Sequence, residues 1–142
     1  MKAQKKIRIL TLVVLLVSLL AGCSSQGTTL TGSDKDTVLA FSETKTDNLL
    51  AGMNANDYAM FSKDFDKDML NAMTQAQFEA LKTDRDAKLG LYISRQMNSV
   101  VKQGDFYAVI YDAKFEKDEA VTIRVVFRIA ESHEVSGLWF NK

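Results

Sequence analysis

The chain has 142 residues, with 18 basic and 18 acidic side chains, one cysteine and no proline. One cysteine excludes an internal disulfide, and the balanced charge gives no general electrostatic pull toward nucleic acid. The length fits a single ordinary domain with its own core.

Three zones precede the cysteine. Met1 to Arg8 carries Lys2, Lys5, Lys6 and Arg8 without an acid, Ile9 to Leu20 is apolar except for Thr11 and Ser18, and Ala21 and Gly22 are small. A basic start, a short apolar centre and small residues at a cut site predict a secretory signal over 1–22. The apolar run is shorter than the roughly 20 residues a membrane span needs. Leu20-Ala21-Gly22-Cys23 resembles the lipobox of bacterial lipoproteins. That resemblance implies cleavage between Gly22 and Cys23 and a diacylglycerol on the Cys23 sulfur, with palmitate-type acyl chains. It also implies attachment to the outer side of the cell membrane. An acylated sulfur is lost to disulfide and metal chemistry. Ser24 follows the cysteine, where some inner-membrane lipoproteins have aspartate.

Removing the signal takes away four basic residues and no acid, so 14 bases face 18 acids and the mature net charge is near −4. Such a domain has no general attraction to nucleic acid or anionic lipid. Residues 23–33 (CSSQGTTLTGS) form the lipidated N-terminus and a small, polar stretch that reads as a flexible tether. The folded domain is expected over 34–142.

From Asp34 to Leu89 the pattern is helical. Val38, Phe41 and Leu49 share a face of a first helix that ends near Gly52 or Asn54. Tyr58, Phe61, Phe65, Met69 and Met73 recur at helical spacing, with a break near 63–66 and an aspartate capping the second piece. Thr74-Gln75-Ala76-Gln77 is a capping-box pattern that opens a helix running to about Lys88, before Gly90. Beyond Leu91 the period becomes two. Four strands are expected: 92–101, a strand in FYAVIYDAKF, VTIRVVFRI, and 135–140, joined as antiparallel hairpins. Val121, Ile123, Val125, Phe127 and Ile129 share one side of the third strand, and Tyr107, Val109, Tyr111, Ala113 and Phe115 share the apolar side of the second. Helices leading into strands give an α+β class.

The segments NANDYAMFSKDFDKDM, AKFEKDEAVTIRVVF and VSGLWF make residues 36 to 140 similar to a family of secreted domains of unknown function. The order of elements resembles the cone-shaped fold named for nuclear transport factor 2. The resemblance implies a curved four-stranded sheet wrapped on the helices, with a cavity at the wide end. Tyr58, Phe61, Phe65, Tyr107, Tyr111, Phe127 and Trp139 are the candidate lining of that cavity. Apolar walls with a few hydroxyls suit a small hydrophobic ligand; the same residues equally suit a filled core.

Catalytic patterns are missing from the sequence. Tyr107 and Tyr111 are the only protic groups on the core-facing sets of the two clearest strands, and a neutral tyrosine is a poor base. His133, the one histidine, lies in an expected solvated turn. Asp64, Asp66 and Asp68 imitate the start of a calcium loop, but Met69 and Gln75 replace its glycine and glutamate. Caps and a solvated acidic face account for them better. Asp84-Arg85-Asp86 reads as an exposed charged turn of helix. No catalytic residue, metal or cofactor is assigned. The expectation is a non-catalytic, lipid-anchored module that binds a small ligand or a protein; the alternatives are an enzyme for a hydrophobic substrate and a homodimer formed through Val126, Leu138 and Phe140.

Overall fold

The computed structural model describes residues 26–142. The signal sequence, Gly22, Cys23 and Ser24 lie outside the described residues. In chain order the elements are β1 (Thr28–Thr29), α1 (Gly32–Ala55), α2 (Tyr58–Phe61), α3 (Lys67–Ala72), α4 (Gln75–Lys88), β2 (Tyr92–Gln103), β3 (Phe106–Phe115), β4 (Asp118–Arg128) and β5 (Val135–Asn141). The class is α+β, with helices leading into an antiparallel sheet of order β1-β2-β3-β4-β5. The sheet therefore has five strands and not four. The added one is β1, where Thr28 and Thr29 pair with Lys102 and Val101 inside the stretch expected to be tether. Small polar composition marks that stretch as loop-like, yet β2 offers it an unpaired edge, and those two residues take it.

Local chemistry sets the helix ends. Asp57 accepts a hydrogen bond from the Met60 amide, Asp66 from Met69 and Thr74 from Gln77, so α2, α3 and α4 each start on a side-chain cap. Gly104, at φ 56°, takes the first position of the two-residue turn between β2 and β3.

The core lies between the helices and one face of the sheet, here the inner face. Val109, Tyr111, Ile123, Val125, Phe127 and Val135 supply the sheet side, and Val38, Leu49, Met53, Phe61 and Phe78 the helix side. On α1 the buried stripe passes through Ser42 and Thr46, small residues that let this 24-residue helix sit close to the strands. Register is broken in β2 at Tyr92/Ser94 and Met97/Ser99, between β3 and β4 near Ala113/Phe115, and between β4 and β5 at Val126/Phe127. Each irregularity admits an extra residue, bends its strand and reverses the face of every side chain beyond it.

The irregularity in β5 corrects two expectations. Strict alternation from Val135 would turn Gly137 and Trp139 inward and Leu138 and Phe140 outward. With Ser136 as the extra residue, Gly137 pairs with Val126 and Trp139 with Arg124 on the outer face. Leu138 and Phe140 pair with Val125 and Ile123 and pack on the core, Phe140 against the edge of Phe115.

Candidate functional site

The seven aromatic residues expected to line a cavity are not brought together around one. Phe61, Phe65, Tyr111 and Phe127 are buried in the core cluster. Phe61 packs its ring 5.0 Å from Phe65 and 4.6 Å from Phe78. Tyr58 is half-buried and its hydroxyl donates to the Met73 carbonyl at 2.7 Å, tying α2 to the end of α3. Tyr107 is half-buried against Phe41. Trp139 is on the opposite side of the sheet.

Polar groups nevertheless reach the inner face, through a residue that period-two reading misses. The two irregularities in β2 place Tyr92, Arg95, Met97 and Val100 inward at spacings of three, two and three, opposite Phe115, Ala113, Tyr111 and Val109. The Arg95 guanidinium lies 4.9 Å from the centre of the Tyr111 ring. It donates to Glu43 at 3.0 Å and to Asp47 at 2.6 Å, both on α1, and to the Tyr92 hydroxyl at 3.3 Å. The Tyr111 hydroxyl donates to Glu43 at 2.8 Å and lies 3.2 Å from Thr46 Oγ1. Burial pushes the Tyr111 phenol far above its ordinary value; Glu43 adds to that rise, while Thr46 and Arg95 oppose it. Burial alone would weaken the Arg95 charge, but Asp47, Tyr92 and Glu43 outweigh it and drive its pKa up. A phenol held so firmly protonated cannot act as a base near neutrality. The cluster is a clamp that fixes α1 to β2 and β3.

Arg85, expected at an exposed turn, is 3 % exposed. It donates to Asn54 at 2.8 Å and to Asp86. Asn54 also accepts from the Tyr92 amide and donates to the Tyr92 carbonyl, so this one amide joins α1, α4 and β2. His133 does lie in a turn, but its ring stacks on Phe41 at 3.9 Å instead of standing in solvent. Asp66 caps α3 and is 2 % exposed. It accepts from Arg128 Nε at 2.6 Å and from the Ser136 hydroxyl. Burial raises the Asp66 carboxyl, and the bonds from Ser136, the Met69 amide and Arg128 more than reverse that, leaving its pKa below 3.8. Asp68 adds a second acceptor for Arg128 at 3.1 Å, and Asp64 accepts from Asn48. Among the described residues no three His, Cys, Asp or Glu side chains converge as a metal would need.

The outer face holds the more open site. Three cross-strand rows build it. Val101, Ala108, Val126 and Gly137 lie opposite one another in sequence across β2 to β5 and form a small-residue floor. On one side Phe106 pairs with Arg128, whose guanidinium is 5.5 Å from the ring centre. On the other Arg124 pairs with Trp139 at 5.4 Å. The groove between these walls has a volume of about 640 Å³, with Asp66 and Ser136 at its β5 end. A Cβ on Gly137 would come 2.3 Å from the Trp139 indole, so glycine is what lets the indole lie flat on the strand. Trp139 remains 48 % exposed. Alternation in VTIRVVFRI does put Arg124, Val126 and Arg128 on the wetter face. Their aromatic partners were not legible, because one requires the hairpin register and the other the β5 irregularity.

Helices followed by a five-stranded antiparallel sheet, with a hydrophobic core between them and an amphipathic groove outside, define the domain as an α+β module of this topology. Residues 46–138 match the model of a family described as a protein of unknown function (DUF3887), and the chain belongs to that family. No curated protein matches the chain, and no solved structure does. Among the described residues no helix is long and apolar enough to cross a membrane.

Proposed function

We propose that this protein is a lipid-anchored extracytoplasmic lipoprotein whose domain binds through the outer face of its sheet and carries out no reaction in its interior. The anchoring half rests on the Leu20-Ala21-Gly22-Cys23 lipobox behind a signal-like apolar run. Two acyl chains on one residue give stable attachment where a single chain is marginal. The binding half rests on one observation: Trp139 lies on the outer face beside Arg124, on a groove that it lines together with Val126, Phe106 and a set of charged side chains. Support for a non-catalytic interior comes from Tyr111, the one fully buried phenol in the aromatic set, which is locked in the clamp with its pKa raised. We extend the proposal to the cone-shaped fold, because helices preceding a sheet bent by several bulges make such a wrap feasible.

Cys23→Ala tests the anchoring. Lipid labelling of the full chain in a bacterial host is expected to vanish in the variant, and the unmodified precursor to accumulate. Equal labelling of variant and wild type would remove the lipoprotein reading.

A further inference from the structure

The N-terminal segment enters the domain on the same side of the sheet as the groove. A Cβ on Gly27 would come 2.3 Å from Val101 Cγ1 and 3.4 Å from the Gln103 Cβ, two side chains of the outer face. The backbone before β1 thus lies against Val101, the first residue of the groove floor. Thr28 and Thr29, paired with Lys102 and Val101, hold it there.

Cys23 is four residues before Gly27. At about 3.4 Å per residue those four span at most roughly 14 Å. The floor from β2 to β5 crosses three strand spacings, which is also roughly 14 Å. With about one strand spacing more from Gly27 to Val101, Cys23 stays within roughly 19 Å of the first residue of that row. The long helix α1 packs on the opposite, inner face, whereas the start of α3 reaches the rim of the groove through Asp66 and Asp68. The outer face is the part of the domain that the anchor draws nearest to the bilayer.

The side chains on that face have the chemistry of a membrane interface. Trp139 and Phe106 present apolar rings with Val126 between them, and Asp66, Asp68 and Asp105 also line the groove, the first two held by Arg128. Tryptophan concentrates where headgroups meet acyl chains, and arginine lays its stem on apolar surface while its head meets phosphate. The two arginines differ in what they have to spend. Arg128 is neutralised by Asp66 and Asp68. Arg124 forms no ion pair or side-chain hydrogen bond among the described residues, and its guanidinium lies over the Trp139 ring. Its charge is available to a phosphate.

We infer that the outer-face groove is a phospholipid-docking surface, on which the domain lies against the bilayer with Trp139 and Phe106 in the headgroup region and Arg124 on a lipid phosphate. The inference rests on the lipid-anchor reading of Cys23, which supplies the closeness. Tethering gives the contact a high effective concentration, so it forms without strong intrinsic affinity and despite the acidic net charge.

Trp139 is the only tryptophan in the chain, which makes its emission a reporter of this one place. The full chain, made in a bacterial host and purified in detergent, would be reconstituted into phosphatidylethanolamine–phosphatidylglycerol vesicles with or without dibrominated acyl chains. Mass spectrometry of the N-terminal peptide reads the state of Cys23 independently. With Cys23 acylated, Trp139 emission is expected to drop at least twofold in brominated vesicles, and Arg124→Glu to remove about half of that quenching. Acylated Cys23 with unquenched Trp139 overturns the docking surface and leaves the anchor standing. Quenching with unmodified Cys23 keeps the surface and overturns the anchor. Neither signal overturns both. Trp139 shielded from iodide but not quenched by bromine, in proportion to protein density, assigns the groove to a second copy and overturns lipid docking.

Discussion

On the inner face of the sheet a guanidinium, Arg95, covers the ring of Tyr111, and α1 closes over both. On the outer face two more guanidiniums lie beside rings, Arg128 by Phe106 and Arg124 by Trp139, and of the two only Arg128 is bonded to a helix, at the start of α3. The chemistry of the pairs is alike; what differs is how many other groups hold them. Among the described residues Arg95 has three side-chain hydrogen-bond partners and Arg128 has two, whereas Arg124 has none and only its ring contact. Side chains held by several partners specify a fold, even where, as in Arg95, the buried Nε has none, and a charged side chain left with one soft partner can still take a ligand. The contrast orders the molecule from the clamp, through the Asp66 corner, to the open wall of the groove.

The largest effects are expected on the inner side. Phe127 is fully buried between Phe41 and the strands, so Phe127→Ala should cost about 3–5 kcal/mol in urea denaturation. A loss below roughly 1 kcal/mol would show that the interior has slack enough for a ligand after all. Next comes Asp66, which joins both faces. Asp66→Asn should cost about 2–3 kcal/mol at neutral pH, because Arg128, Ser136 and the Met69 amide lose a charged acceptor. Its native pKa lies below the ordinary 3.8. The stability it contributes is therefore complete above about pH 4 and is lost as pH falls through the depressed native value. The gap between wild type and Asp66→Asn should narrow on acidification below pH 4. A gap that stayed constant to pH 2 would mean the carboxylate is not what Arg128 requires.

How far the sequence disclosed this layout depended on alternation. In β3 and in VTIRVVFRI the period of two holds over the stretches that matter, and the inward sets Tyr107–Phe115 and Val121–Phe127 were legible. In β2 two extra residues put Arg95 inside a strand whose composition looks polar and undistinguished. In β5 one extra residue exchanged Trp139 for Leu138 and Phe140. A one-residue slip reverses faces, and nothing local in VSGLWFN announces it. Helix starts were better marked, since Asp66 and Thr74 act through bonds three residues away. The burial of Arg85 was hidden for a different reason: its acceptor, Asn54, is 31 residues distant.

A smaller inner effect sharpens the clamp. Tyr111→Phe keeps the ring under Arg95 and removes only the hydroxyl shared by Glu43 and Thr46. The expected cost is about 1–2 kcal/mol, chiefly from leaving buried Thr46 without its partner. Paired with Glu43→Gln in a double-mutant cycle, it should show a coupling of roughly 0.5–1 kcal/mol. Strict additivity would reduce the clamp to independent contacts.

The smallest expected change in stability lies on the outer face, and it carries the most information about the groove. Gly137→Ala adds one methyl directly beneath the indole, 2.3 Å from its nearest ring atom. The strand backbone tolerates alanine, and the indole is half-exposed, so the ring can lift instead of the strand distorting. Stability should change by no more than about 0.5–1 kcal/mol. The emission of Trp139 should move to longer wavelength as the ring leaves the floor and loses Arg124. If the spectrum is unchanged, the indole was never seated on Gly137, and the wall that distinguishes the outer face from the inner one is not a built feature. If instead the protein unfolds at a much lower urea concentration, the indole is rigidly held, and the outer pair belongs with the clamp as part of what specifies the fold.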